Sequence, residues 1–285
     1  MKLVTFKHDN RVSVGILYQG KIIPAWSNPL MPQDMCHFLS GGKSLQENLL
    51  SYAGKADIPQ EEAELLAPVL NPQKFLGVGL NYADHIAETG LKTPEFPTIF
   101  NKQASCIIGD SAAIHRPSVS NKLDYEGELA FVIGKRCRHV PYEQAQHVIA
   151  GYTIVNDISV RDWQIKSPTW TLGKSFDTHG PMGPWITTDN IDPHALELKT
   201  WVNGELRQHS NTKNLIFDCY ALVETLSTVC TLMPGDVIAT GTCSGVGVSM
   251  KPRGYLKPGD TVTVEIEHIG RLSNNIIAEP TTPLY

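Results

Sequence analysis

From residue 74 onward the chain is a succession of short apolar runs rich in β-branched and aromatic residues, each closed off by Gly or Pro. FLGVGL, TIFNKQASCII, YEGELAFVIG, GYTIVNDI, LELKTWVNG, DVIATGT and TVTVEIEHIG fit strands. Pro-Gly-Asp precedes two of them, at 234–236 and 258–260. Helical spacing occurs in fewer places. PYEQAQHVIAG (141–151) has Pro at its start and Gly just past its end, and LIFDCYALVETLSTVCTL (215–232) is the longest run with a helical apolar stripe. Upstream, KLVTFKH and RVSVGILYQGKIIPA predict short strands, and QENLLSYAGKA and PQEEAELLAPV predict short helices. The Asn71-Pro72 turn in VLNPQKF marks a boundary between them. The expected organisation is a small N-terminal α+β domain, residues 1–70, followed by a larger domain, residues 71–285. The larger domain is expected to be α+β, dominated by a large mixed or antiparallel sheet curled into a barrel-like roll.

Composition narrows the function classes. With 285 residues, 41% apolar and 19% charged, the chain can bury a substantial core. A net charge of −5 argues against a nucleic-acid surface, which needs a basic stripe. No apolar run reaches the roughly 18 residues of a membrane span. The N-terminus reads as a strand, without the apolar segment of a secretion signal. The six cysteines show no CxxC pairing and read as free thiols in a reducing compartment, so a cytoplasmic location is expected.

The stretch LDYEGELAFVIG (123–134) carries the sharpest chemical pattern. Read as one strand, it puts Asp124, Glu126, Glu128, Ala130 and Val132 on one face, which turns from acidic to apolar. Either the two glutamates are solvated at an exposed strand end, or they sit at the mouth of a packed interior with a cation or a shared proton between them. GYTIVNDI ends a second buried run on a third carboxylate, Asp157. Three oxygen donors without His or Cys at ligand spacing suit a hard ion such as Mg²⁺ or Mn²⁺. That requires the start of one strand to meet the end of the other, which a parallel crossover through 141–150 would prevent. In GLNYADHIAETG (79–90), Asn81 or Asp84 is placed to cap a short helix and Gly90 to end it. His85 and Glu88 then share a face, as a general base and its orienting carboxylate or as a surface pair. Lys174 follows an apolar run in a Gly/Pro-rich loop, and Thr240 and Thr242 flank a glycine-rich turn that exposes N–H groups.

In order along the chain, VGLNYADHIAETG, DYEGELAFVIGK, GYTIVNDISVRDWQ, WTLGKSFDTHGPMGPW, VNGELRQ and PGDVIATGTCSGVG resemble the fumarylacetoacetate hydrolase superfamily over roughly residues 73–280. The resemblance implies that Glu126, Glu128 and Asp157 bind Mg²⁺ or Mn²⁺. It implies that His85 and Glu88 form a water-activating dyad and that Lys174 stabilises developing negative charge. Arg161, Asp162, Gln164 and Thr242 are implied to line the substrate pocket. The implied fold is the superfamily's β-roll, usually a homodimer. The implied activity is hydrolysis of a C–C bond in a 2,4-diketo acid such as an acylpyruvate. Decarboxylation of oxaloacetate, isomerisation or hydration of 2-oxo dienoic acids, and a non-catalytic role are the alternatives. Asn81 stands where fumarylacetoacetase has a metal-binding aspartate, which points to the acylpyruvate and 2-hydroxyhepta-2,4-diene-1,7-dioate isomerase-like branch. Cys243 replaces a usual proline and His179 a common Phe, both expected near the pocket, whose wall is assigned to loops near 92–98, 165–170 and 249–255.

Overall fold

A computed structural model describes residues 1–90 and 92–281. Its central element is the strand Gly127–Ile133, buried at every position. That strand is fully apolar after Glu128, as expected of a strand covered on both faces. It pairs antiparallel with Ile149–Asn156 on one side and Val237–Ala239 on the other. Beyond Val237–Ala239 the sheet continues through Phe75–Gly79, parallel, to Thr98–Lys102. Beyond Ile149–Asn156 it continues through Gly180–Thr187 to the N-terminal strands Lys2–His8, Arg11–Tyr18 and Lys21–Pro24.

A second, five-stranded sheet holds Glu205–Asn211, Glu197–Val202, Thr261–Ile266, Gly270–Ala278 and Ile114–Arg116. The alternation of the central strand divides its side chains between two cores. Leu129, Phe131 and Ile133 pack with Leu198, Val264 and Leu272 of the second sheet and with Leu222, Val223 and Leu226 of the helix Cys219–Val229. Ala130 and Val132 pack with Leu3, Val14, Ile16 and Met182. The fold is the expected α+β type, mostly mixed sheet with few helices. Residues 1–70 share both a sheet and a core with the remainder, through pairs such as Leu3↔Ile186.

Several elements differ from their sequence expectation. Residues 59–69, expected to be helical, form a short 3-10 turn, Gln60–Glu62, and a strand, Glu64–Leu66, because the free edge of Lys2–His8 offers pairing at Thr5–Lys7. The helix expected over 46–56 lies earlier, at Gly42–Leu50, and 141–151 yields the 3-10 turn Tyr142–His147 and the start of the strand Ile149–Asn156. The long helix is trimmed to Cys219–Val229, because the Asp218 side chain accepts from the N–H groups of Tyr220 and Ala221 and fixes its start. The run 123–134 is two strands rather than one, Leu123–Asp124 and Gly127–Ile133, since its first two residues pair instead with Ser159–Val160. All six cysteines are free. Among the described residues, no helix is long and apolar enough to cross a membrane.

Candidate active site

The register of the central hairpin assembles the acidic cluster. Gly127 stands opposite Asn156, and the Asp157 N–H donates to the Glu126 carbonyl at 2.8 Å. The strand ends therefore meet. Glu126, Glu128 and Asp157 are 6%, 1% and 0% exposed, and each offers an oxygen within 4.8 Å of the other two. Three buried carboxylates with no thiol or imidazole among them fit a hard divalent ion that completes its shell with water or substrate oxygens.

The surrounding charges sharpen that fit. Lys174 Nζ donates to Glu126 and to Asp157, both at 2.6 Å. Lys102 Nζ donates to the other oxygen of Asp157 at 2.6 Å. Arg161 donates through Nη1 to Glu126 at 2.6 Å and through Nε to Asp124 at 2.8 Å. Four carboxylates (Asp124, Glu126, Glu128 and Asp157) thus meet three cations, leaving one negative charge uncompensated in a buried site. Burial disfavours the charge on Glu126, but Lys174 and Arg161 outweigh it and hold this carboxyl well below the usual range. Glu128 is pushed the other way, first by burial and then by Asp157 and Glu126. Only the Gly241 N–H, at 2.7 Å, compensates it directly among the described residues. A carboxyl in that position takes either a proton or a metal ion.

His85 and Glu88 lie on the helix Ala83–Thr89, closed by Gly90 in the left-handed conformation at φ 69°. Its N-cap is Tyr82, without a side-chain cap, so neither Asn81 nor Asp84 plays the expected capping role. The Asn81 amide instead donates to the carbonyls of Phe217 and Thr240 and accepts from the Phe217 N–H. His85 Nδ1 is 3.1 Å from Glu88 Oε2, and Glu88 Oε1 accepts from the Gly245 N–H at 2.9 Å. An ionised carboxylate only accepts, so Nδ1 carries the proton and Nε2 is left as the basic atom.

A cavity of about 380 Å³ joins these groups. His85, Glu126, Arg161, Asp162, Gln164, Lys174 and Thr242 line it, with Phe100, Trp170 and Val248 among its apolar walls. Of the triad only Glu126 lines it, and Glu88 meets it through its bond to His85. Lys174 ends a short helix, Thr171–Lys174, rather than lying in a loop. Gly173 of that helix packs so closely on the preceding short helix, Arg161–Gln164, that a Cβ there would lie 2.2 Å from Gln164 N. Thr242 is held by its own bond to the Gly127 carbonyl and by Gln208. Among the described residues, Arg161 Nη2 is buried and has no hydrogen-bond partner. The wall includes Ile165, Trp170 and Tyr255 from two of the three expected loops, and nothing from 92–98. Cys243 and His179 are fully buried and do not line the cavity.

Two participants went unrecognised in the sequence. Lys102 is buried beside Asp157 and also donates to the Lys174 carbonyl. Its signal was a lysine in the inward register of a strand, two residues after buried Phe100. Asp124 is fully buried and accepts from Arg161 and from the Gly247 and Val248 N–H groups, organising the glycine-rich turn.

A mixed-sheet fold that gathers a buried acidic triad, a histidine–glutamate pair and a lysine around one cavity has the make-up of an enzyme site. Residues 74–277 match the fumarylacetoacetate (FAA) hydrolase C-terminal family, and the chain belongs to it. It is 41% identical over 288 residues to the mitochondrial oxaloacetate tautomerase fahd2 of Xenopus laevis, covering 97% of this chain and 90% of that protein. It superposes on 2-hydroxyhepta-2,4-diene-1,7-dioate isomerase from Mycobacterium marinum with a TM-score of 0.80 at 34% identity, covering 99% of this chain and 100% of that one. For maleylpyruvate hydrolase from Sphingobium sp. SYK-6, solved with manganese(II) and pyruvate, the TM-score is 0.82 at 30% identity, covering 98% and 100%.

Proposed function

We propose that this protein is a divalent-metal-dependent enzyme that interconverts the keto and enol forms of a 2-oxo dicarboxylic acid, with oxaloacetate the simplest candidate. The observation that carries the reading is His85 on the wall of a cavity that also reaches Glu126, one member of a buried triad of hard oxygen donors. Likeness to an oxaloacetate tautomerase across 97% of the chain supports the choice of reaction. The ion held by Glu126, Glu128 and Asp157, Mg²⁺ or Mn²⁺, would supply Lewis-acid polarisation of the acid's carbonyl and carboxylate oxygens.

The chain's own groups do the remainder. His85 Nε2 takes a proton from the methylene carbon beside the carbonyl, and Glu88 holds the ring and offsets the charge it gains. The C–H electron pair becomes the new C=C bond, the carbonyl π pair moves onto oxygen, and that oxygen takes a proton from solvent to give the enol while His85 returns its own proton to solvent. Lys174 faces that oxygen's growing charge with the one N–H its two carboxylates leave free. The Arg161 guanidinium, which lines the cavity, adds positive charge that favours a bound carboxylate. Apolar walls from Phe100, Trp170 and Val248 keep competing water away.

Hydrolysis of a 2,4-diketo acid is the second reading. The same dyad can activate water, and a maleylpyruvate hydrolase shares the fold. Product analysis separates the two. With Mg²⁺ or Mn²⁺ present, the ultraviolet absorbance of enol-oxaloacetate should relax faster than in EDTA, without change in carbon count. Release of pyruvate plus a second acid from acylpyruvates, with no effect on enol relaxation, would instead establish hydrolysis.

A further inference from the structure

We propose that Lys122 selects substrates carrying a second carboxylate, binding it at the rim of the cavity beside Arg161. The inference rests on the 2-oxo acid reading above and names the feature of the substrate that Lys122 recognises.

Four basic side chains line the cavity: His85, Lys122, Arg161 and Lys174. Three are already committed. Lys174 bridges Glu126 and Asp157, Arg161 holds Asp124 and Glu126, and His85 is paired with Glu88. Among the described residues, Lys122 alone of the four has no carboxylate within salt-bridge distance. An exposed lysine is ordinarily just solvated, but this one is held at a defined place. The Arg161 N–H donates to the Lys122 carbonyl at 3.0 Å, next to the Leu123↔Val160 pair, so the two residues are neighbours across a two-stranded ribbon. The Lys122 N–H donates to Ser120 Oγ at 3.0 Å, and that hydroxyl donates to Asp162 at 2.6 Å. Both backbone groups of Lys122 are therefore fixed, and the nearby acid, Asp162, is engaged by Ser120.

The consequence is a cavity wall with two cationic groups flanking the paired strands Leu123–Asp124 and Ser159–Val160. Among the described residues, one offers a buried N–H without a partner, Arg161 Nη2, and the other an ammonium without a counter-ion. A carboxylate at the rim would accept from the Lys122 ammonium, with the charge of the neighbouring Arg161 guanidinium adding to the attraction. The 2-oxo carboxylate end belongs with the acidic triad and its ion. A carboxylate at the far end of a short acid would then meet this pair, with the carbon chain against the apolar walls.

The test compares oxaloacetate with 2-oxobutanoate, which has the same chain length but lacks the second carboxylate. Methylene proton exchange in deuterated water reports enolisation of both, using the metal-loaded protein. Lys122→Met should lower kcat/KM for oxaloacetate by about 10–100-fold, mostly through KM, as expected for loss of one charge-assisted hydrogen bond. The fall for 2-oxobutanoate should be under about threefold on the same reasoning, and Lys122→Arg should restore most of the preference. Equal losses on both acids, or no loss on either, would overturn the assignment. Tryptophan-fluorescence titration with 2-oxoglutarate and 2-oxobutanoate gives a readout independent of turnover. If the wild type exchanges neither acid while Lys122→Met still weakens only the dicarboxylate's binding, the tautomerase reading fails and the role of Lys122 stands. If exchange proceeds and both binding constants are untouched by Lys122→Met, the role of Lys122 fails alone.

Discussion

Glu126 and Asp157 are joined through their backbones: the Asp157 N–H donates to the Glu126 carbonyl at 2.8 Å where the central hairpin opens. This contact places two carboxylates from separate strands side by side, and Glu128 follows from the same strand end. Lys102, Lys174 and Arg161 offset most of the electrostatic cost of that gathering, and Glu128 is left to take a proton or a metal ion.

Removing one donor should therefore act on the metal first. Glu128→Gln is expected to weaken Mn²⁺ binding by at least about tenfold, since it deletes the least compensated of the three oxygen donors. Titration followed by electron paramagnetic resonance of free Mn²⁺ measures this. Affinity equal to the wild type would remove Glu128 from the ligand set.

His85→Ala should cut turnover by about 10²–10⁴, the span of general acid–base catalysis, with Mn²⁺ affinity retained. Glu88→Gln should have a smaller effect, because Gly245 still anchors the side chain while the negative charge is lost. Steady-state rates beside metal titrations distinguish this from a folding defect.

Lys102→Met should destabilise the fold by roughly 3–5 kcal/mol in metal-free protein, because it strips one partner from a fully buried ion pair. Urea melts with EDTA and with Mn²⁺ test it. Added metal should recover part of the loss by offsetting the charge left on Asp157.

Gly173→Ala should cost about 1–3 kcal/mol and reduce turnover, since the new Cβ would press on Gln164 N at 2.2 Å and move Lys174 with it. Thermal melts and rates together check this. Wild-type values for both would show that the Thr171–Lys174 helix yields without disturbing the site.

His179 gives the acid response of the fold. Burial, opposed by its bond to the His115 carbonyl, lowers its pKa from 6.5 to about 3. The unfolded chain therefore binds a proton between those values and the folded chain does not, so stability is full above the unfolded pKa and falls as pH drops toward 3. The slope should be roughly 1.4 kcal/mol per pH unit within that window. In His179→Phe this contribution to the acid slope should be absent from denaturant melts taken across the same range.

The parts of this site that were legible in the sequence are those set by local spacing. Glu126 and Glu128 are two apart at a strand end, His85 and Glu88 three apart on a helix, and Asp157 closes an apolar run. The sheet-rich roll was legible from the strand periodicity, and the order of motifs identified the family. Lys102 was hidden because its partner lies 55 residues away and an isolated lysine carries no periodic signature. The stretch 59–69 misled because its apolar spacing suits a helix, while the edge of Lys2–His8, distant in sequence, decides for a strand. Arg161 reads as a pocket residue, but its tie to Asp124 depends on the ribbon that splits 123–134 in two.

The most direct test of the central claim is the rate of enol-to-keto relaxation of oxaloacetate, measured for the wild type with Mn²⁺, the wild type with EDTA, and Glu128→Gln. Acceleration by the metal-loaded wild type alone, with oxaloacetate recovered intact, is the predicted result. Relaxation at the uncatalysed rate while Mn²⁺ is shown to be bound would contradict it.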